Sequence, residues 1–153
     1  MEKNIARFLK YGTLLSTYGL IATVLLQIFA RFFLQNAPAW TEEASRLFFI
    51  YAISFAAGLA FKHHYFVHLD LFYDQLPPAG QRLLSILIPL LTLVLFAIIA
   101  IYAVPFMMQG YGETSPSMKI RMSTAFCSLF IMGASISYFA FLATRKQLKK
   151  QRT

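Results

Sequence analysis

Four long apolar runs, separated by short polar segments, dominate the chain. The first covers residues 11–34 and carries no charge before Arg31. The second covers 44–61, the third 83–108 and the fourth 122–143. At a rise of about 1.5 Å per residue, each is long enough as an α-helix to cross a hydrocarbon core of about 30 Å, the second being near the lower limit. No acidic or basic side chain lies near the middle of any run. Arg31 and Arg46 fall within a few residues of a run's end, from where their side chains can snorkel to the headgroups. The pattern predicts an all-α integral membrane protein with four transmembrane helices, forming a single membrane domain over residues 1–153.

The connecting segments add local predictions. In the first, Pro38 ends one helix, Thr41 is placed to N-cap the next, and Glu42 and Glu43 fall in a first turn where the helix dipole favours anions. Trp40 suits a membrane interface, and either glutamate is at helical spacing to pair with Arg46. Across 62–78, Leu69, Phe72, Tyr73 and Leu76 recur at i, i+3, i+4 and i+7, with Asp70 and Asp74 on another face. That spacing predicts a short amphipathic helix lying in the headgroup layer, ended by Pro77 and Pro78. Residues 109–121 hold Gly110, Gly112 and Pro116 and read as a turn-rich connection. Within the runs, Ser54 and Gly58, the alanines at 52, 56 and 60, and Gly133 with Ser137 repeat at intervals of four. Small residues at that spacing let helices approach closely in lipid.

Composition sharpens this reading. Hydrophobic residues make up 58% of the 153 positions and charged residues 13%, against about 25% charged in soluble domains. A chain this apolar could not hide its surface from water, which excludes an ordinary soluble enzyme and a disordered tail. Cys127 is the one cysteine, so no internal disulfide forms. The net charge of +8 raises nucleic acid as a partner, but the basic residues flank apolar runs, which is a membrane pattern. Ten of the 14 Lys and Arg sit in the N-terminus, the second connection and the tail, and four at the opposite ends of the runs. The positive-inside bias therefore predicts both termini in the cytoplasm. Arg145, Lys146, Lys149 and Lys150, in a basic tail over 144–153, are expected to anchor on anionic lipid. Lys3, Arg7 and Lys10 ahead of the first run resemble the start of a secretory signal, but a run of about 20 apolar residues exceeds a signal core of about 7–15 and is expected to be retained.

The candidates for chemistry are few. His64 and His68 have i, i+4 spacing and His63 adjoins them, yet a structural zinc site wants two further ligands and no cysteine is near. No metal or cofactor is expected. Gly110-Tyr111-Gly112-Glu113 lacks the strand–helix context and the Lys-Ser/Thr ending of a phosphate loop. Polar or ionisable groups at mid-membrane, which a self-contained transporter or proton channel requires, are missing. The three histidines share one segment, and no nucleophile with its base and orienting group can be picked out. The chain is expected to be neither an enzyme nor a solo transporter.

Taken in order, the segments from Gln27 to Met132 resemble the small membrane subunit of tripartite ATP-independent periplasmic (TRAP) transporters. The resemblance rests on Trp40-Thr41-Glu42-Glu43-Ala44-Ser45-Arg46, an aromatic-rich apolar helix with Gly58, then Ala60-Phe61-Lys62, His63-His64, Val67-His68-Leu69-Asp70-Leu71 and Leu76-Pro77. Thr114-Ser115-Pro116 adds to it, although Ile120-Arg121 stands where the family often has Ile-Pro. The resemblance implies a bacterial inner-membrane scaffold without catalysis of its own, paired with a large multi-spanning transport subunit. A periplasmic binding protein would deliver an organic acid, commonly a C4-dicarboxylate or a sialic acid, for sodium-gradient-driven uptake. By analogy Trp40, Glu42, Glu43 and Arg46 are candidates for the periplasmic edge near the partner, Gly58 for a packing or partner face, and His68 and Asp70 for the cytoplasmic edge.

Two alternatives come from other classes. Small four-helix subunits also anchor haem b in oxidoreductases, but bis-His ligation usually draws its ligands from separate helices. The other alternative is a self-sufficient small exporter.

Overall fold

The computed structural model describes residues 2–33, 38–63 and 77–151. These form four helices: α1 (Glu2–Phe33), α2 (Trp40–Lys62), α3 (Pro78–Gln109) and α4 (Met122–Gln151). Each contains a stretch long and apolar enough to cross a membrane. The anticipated segment over 62–78, with His64, His68, Asp70 and Asp74, lies almost wholly outside the described residues.

The helices outrun the apolar runs that predict them. α1 begins nine residues ahead of Tyr11, bringing Lys3, Arg7 and Lys10 onto the helix. α4 continues beyond Ala143 as far as Gln151, so most of the basic tail is a helical extension. Cations there oppose the negative end of the helix dipole. α3 runs unbroken from Pro78 through Pro89 and Pro105. The start of α2 differs from the anticipated cap. The helix already includes Trp40, and the N-cap position falls on Ala39. Thr41 is buried inside the first turn, and its hydroxyl donates to the Pro38 carbonyl at 2.8 Å.

The helices stand in a row rather than closing into a bundle. α1 lies against α2, α2 against α4, and α4 against α3. α1 and α2 are antiparallel, as are α3 and α4, whereas α2 and α4 run parallel. The row is thus two helical hairpins joined along α2 and α4. In lipid, apolar surface supplies little drive for helix association, so close packing must supply it.

Small residues mark each contact. On α1, Leu9, Gly12, Ser16 and Gly19 share a face. Cβ atoms added at Gly12 and Gly19 would come within 2.8 Å of the Phe55 ring and 2.6 Å of the Phe48 ring. Both pairs are seven apart, so two aromatic knobs of α2 enter two glycine gaps on α1. At Gly58, an added Cβ would lie 2.6 Å from Ser135 Oγ and 3.1 Å from Leu9 Cδ1, which makes it the meeting point of α1, α2 and α4. Leu9, Phe55 and Phe139 form the buried cluster beside it. At Gly133, α4 approaches the α3 backbone, where a Cβ would lie 3.0 Å from Ala100 N. The Tyr51 hydroxyl donates to the Thr124 carbonyl at 2.6 Å, tying α2 to α4.

The two outer flanks of the row remain open. α3 exposes Ile88, Leu91, Leu95, Ile98 and Tyr102, and α1 exposes Leu15, Tyr18, Leu25 and Phe29. Apolar faces of this kind meet lipid or another membrane protein.

Candidate functional site

The two segments carrying the candidate periplasmic residues, the start of α2 and the loop before α4, meet at one end of the row. The first turn of α2 presents two adjacent glutamates that point to different partners. Glu42 is exposed and accepts a hydrogen bond from Arg46 Nη2 at 3.5 Å. A solvent-exposed pair one helical turn apart adds little stability.

Glu43 faces the loop formed by residues 110–121. Its carboxylate accepts hydrogen bonds from the Ser115 hydroxyl, from Ser117 N–H at 3.1 Å and from Met118 N–H at 2.9 Å. The Ser117 amide reaches both oxygens, the second at 3.2 Å. Donors converging on an ionised acceptor make strong contacts, because each gains from the full negative charge. Backbone amides in a tight turn have no helix or sheet partner of their own, and Glu43 supplies one for two of them.

The loop is built to present those donors. Thr114 and Arg121 pair as an isolated antiparallel bridge. Ser115 N–H donates to Ile120 O at 2.8 Å, Lys119 N–H to Ser115 O at 3.1 Å and Met122 N–H to Glu113 O at 2.9 Å. Lys119 closes the turn at a φ of 54°, a left-handed conformation that is unfavourable for a residue with a Cβ. The Arg121 guanidinium stacks 3.8 Å from the centre of the Tyr111 ring. These contacts hold residues 115–118 over the first turn of α2.

Between loop and helix lies a cleft of about 300 Å³, bounded by Glu43, Arg46, Leu47 and Ile50 on one side and by Pro116, Met118 and Arg121 on the other. Trp40 is 45% exposed at the same end. The structure thus brings Trp40, Glu42, Glu43 and Arg46 together on the first two turns of α2. It places Gly58 deep between α1 and α4, and His68 and Asp70 fall outside the described residues. Arg145, Lys146 and Lys149 lie on the helical extension of α4 at the opposite end, which Lys150 also reaches.

Sequence reasoning did not connect Glu43 with Ser115, Ser117 and Met118. The one available signal was that Thr114-Ser115-Pro116 and Trp40–Arg46 both stood out as motifs. The arrangement is mechanical: a carboxylate fastens a loop to a helix. Among the described residues, no group of three or more His, Cys, Asp or Glu gathers to hold a metal ion.

Comparison with known proteins adds a family. Residues 20–150 match the family described as tripartite ATP-independent periplasmic transporters, DctQ component. A TRAP transporter small permease protein of Haemophilus influenzae is 28% identical over 139 residues, covering 91% of this chain and 83% of that protein. The sialic acid TRAP transporter small permease protein SiaQ of Vibrio cholerae is 30% identical over 132 residues, covering 86% of this chain and 72% of that protein. The isethionate TRAP transporter permease protein DctMQ of Oleidesulfovibrio alaskensis is 29% identical over 86 residues, which are 55% of this chain and 14% of that protein.

Proposed function

The chain belongs to the DctQ family of small TRAP transporter membrane components, and from that premise we propose that it is the non-catalytic scaffold of a sodium-gradient-driven uptake system for organic acids. The family places it in the bacterial inner membrane. The scaffold frames a large multi-spanning transport subunit, which works with a periplasmic substrate-binding protein. Both termini face the cytoplasm, and the Glu43 loop faces the periplasm.

The observation that carries this reading is the open helix row. A solo carrier needs a closed path with polar groups at mid-membrane. Here no Asp, Glu, Lys, Arg or His lies near the middle of any apolar run, Arg31 and Arg46 falling near the ends, and the outer face of α3 is exposed and apolar along its length. A row of helices with open apolar flanks suits a frame against which another protein packs. The isethionate relative, in which the matching region is a small part of a longer permease, supports a physical association with a larger component. The substrate class is a C4-dicarboxylate, a sialic acid or a related organic anion. Relatives named for sialic acid and for isethionate support a common frame that serves different cargoes.

Affinity purification in mild detergent tests the association. A multi-spanning protein of about a dozen spans should accompany this chain in near-equal amount. Recovery of this chain alone, at full yield and correctly folded, contradicts the reading.

A further inference from the structure

A second cleft opens at the opposite end of the row, between the first turns of α1 and the last turn of α2. It measures about 320 Å³ and is walled by Lys3, Arg7, Lys10 and His63 over a floor of Ala6 and Leu59. Lys3, Arg7 and Lys10 stand at i, i+4 and i+7, one face of the helix. Among the described residues, no acidic side chain lines the cleft. The nearby Glu2 is engaged with Lys62 at 3.4 Å, and Lys62 also lies over the Phe139 ring at 5.7 Å. Among the described residues, the three cations therefore meet no neutralising carboxylate in the cleft. They also sit near the helix end whose dipole is positive, where anions are favoured and cations are not.

Tyr11, at the rim of this cleft, begins the apolar run of α1. That puts the cleft at the depth of the headgroup layer, where basic pockets between membrane helices take anionic headgroups.

The geometry points to a binding site for the phosphodiester of one anionic glycerophospholipid. The phosphate sits among Lys3, Arg7 and Lys10, and the acyl chains run down the apolar surface beside α1 and α2. The occupant is a lipid rather than free phosphate because the cationic wall stands directly above exposed apolar helix. The site depends only on that end of the row lying in a headgroup layer, so it stands or falls separately from the transporter reading.

Native mass spectrometry of the full chain tests this, with phosphatidylglycerol and phosphatidylcholine offered in equal amounts. Wild-type protein should retain phosphatidylglycerol in preference. Lys3→Gln with Arg7→Gln and Lys10→Gln should weaken that retention at least about tenfold, since each basic residue near a lipid surface adds attraction for an anionic headgroup. Arg31→Gln with Lys119→Gln removes cationic charge at the other end of the helices and should leave the selective retention in place. Lys3→Arg with Lys10→Arg should bind as wild type does, which separates loss of the site from loss of the fold. Equal retention of the two lipids by wild type, or an undiminished preference in the glutamine variant of α1, overturns the proposal. Displacement of the bound lipid by millimolar inorganic phosphate would assign the site to a free anion and overturn it as well.

Discussion

Glu43, in the first turn of α2, accepts a hydrogen bond from the hydroxyl of Ser115, 72 positions away in sequence. With the Ser117 and Met118 amides on the same carboxylate, this contact locks the loop ahead of α4 to the start of α2. The two parallel central helices are thereby joined at one end by a charged clamp. At the other they are joined by the close approach of Gly58 to Ser135.

Replacing Glu43 with alanine should free the loop without unfolding the helices. Hydrogen exchange at the Ser117 and Met118 amides should speed up, while helical circular dichroism stays unchanged. Glu42→Ala should leave those amides protected, because its contact is an exposed pair with Arg46.

The clamp should also matter to transport by the assembled system. Glu43→Ala combined with Arg46→Ala is expected to lower uptake several-fold while membrane insertion remains normal. Uptake rate and membrane-fraction abundance, measured on the same cells, check the two halves of this statement.

Gly58 has no room for a side chain. Gly58→Val should lower stability by about 1–3 kcal/mol, the usual range for overpacking a filled interior, and should be partly rescued by Ser135→Gly. Gly133→Val should be harder to rescue, because its added Cβ meets the Ala100 backbone rather than a side chain that can turn away. Thermal unfolding in detergent ranks these variants.

Lys119 holds a φ of 54°, so Lys119→Gly should be tolerated or stabilising by up to about 1 kcal/mol. Lys119→Val should loosen the loop. The melting temperature should hold or rise for Lys119→Gly and fall for Lys119→Val.

Much of this fold was legible in the apolar runs. Each run became a helix, because chain length and a lack of mid-run charge leave few alternatives in lipid. The order of the helices was not legible. Nothing in local periodicity distinguishes a row from a closed bundle, since both use small residues at close contacts. Gly12 and Gly19 look like unrelated glycines until Phe55 and Phe48 are seen to fill them. The spacing of four at Ser54 and Gly58 fell on two buried positions, with Gly58 packed against Ser135 of α4. The role of Glu43 was hidden for a different reason. A helical spacing argument compares residues within one turn, and so it offered Arg46 as a partner. The real donors come from a distant loop whose turn geometry no spacing rule encodes.

Orientation rests on charge bias and can be tested on its own. In a Cys127→Ser background, Glu113→Cys should react with a membrane-impermeant maleimide added to intact spheroplasts. Gln147→Cys should react only after the membrane is opened. The reverse labelling would invert the topology.

The central claim is that this chain frames a transport subunit and moves nothing alone. Reconstitution into liposomes with a sodium gradient tests it most directly, comparing this chain, its large partner and the two together, each with the substrate-binding protein present. The account predicts uptake of the organic acid only when both membrane components are present. Uptake by liposomes containing this chain without the partner would contradict it.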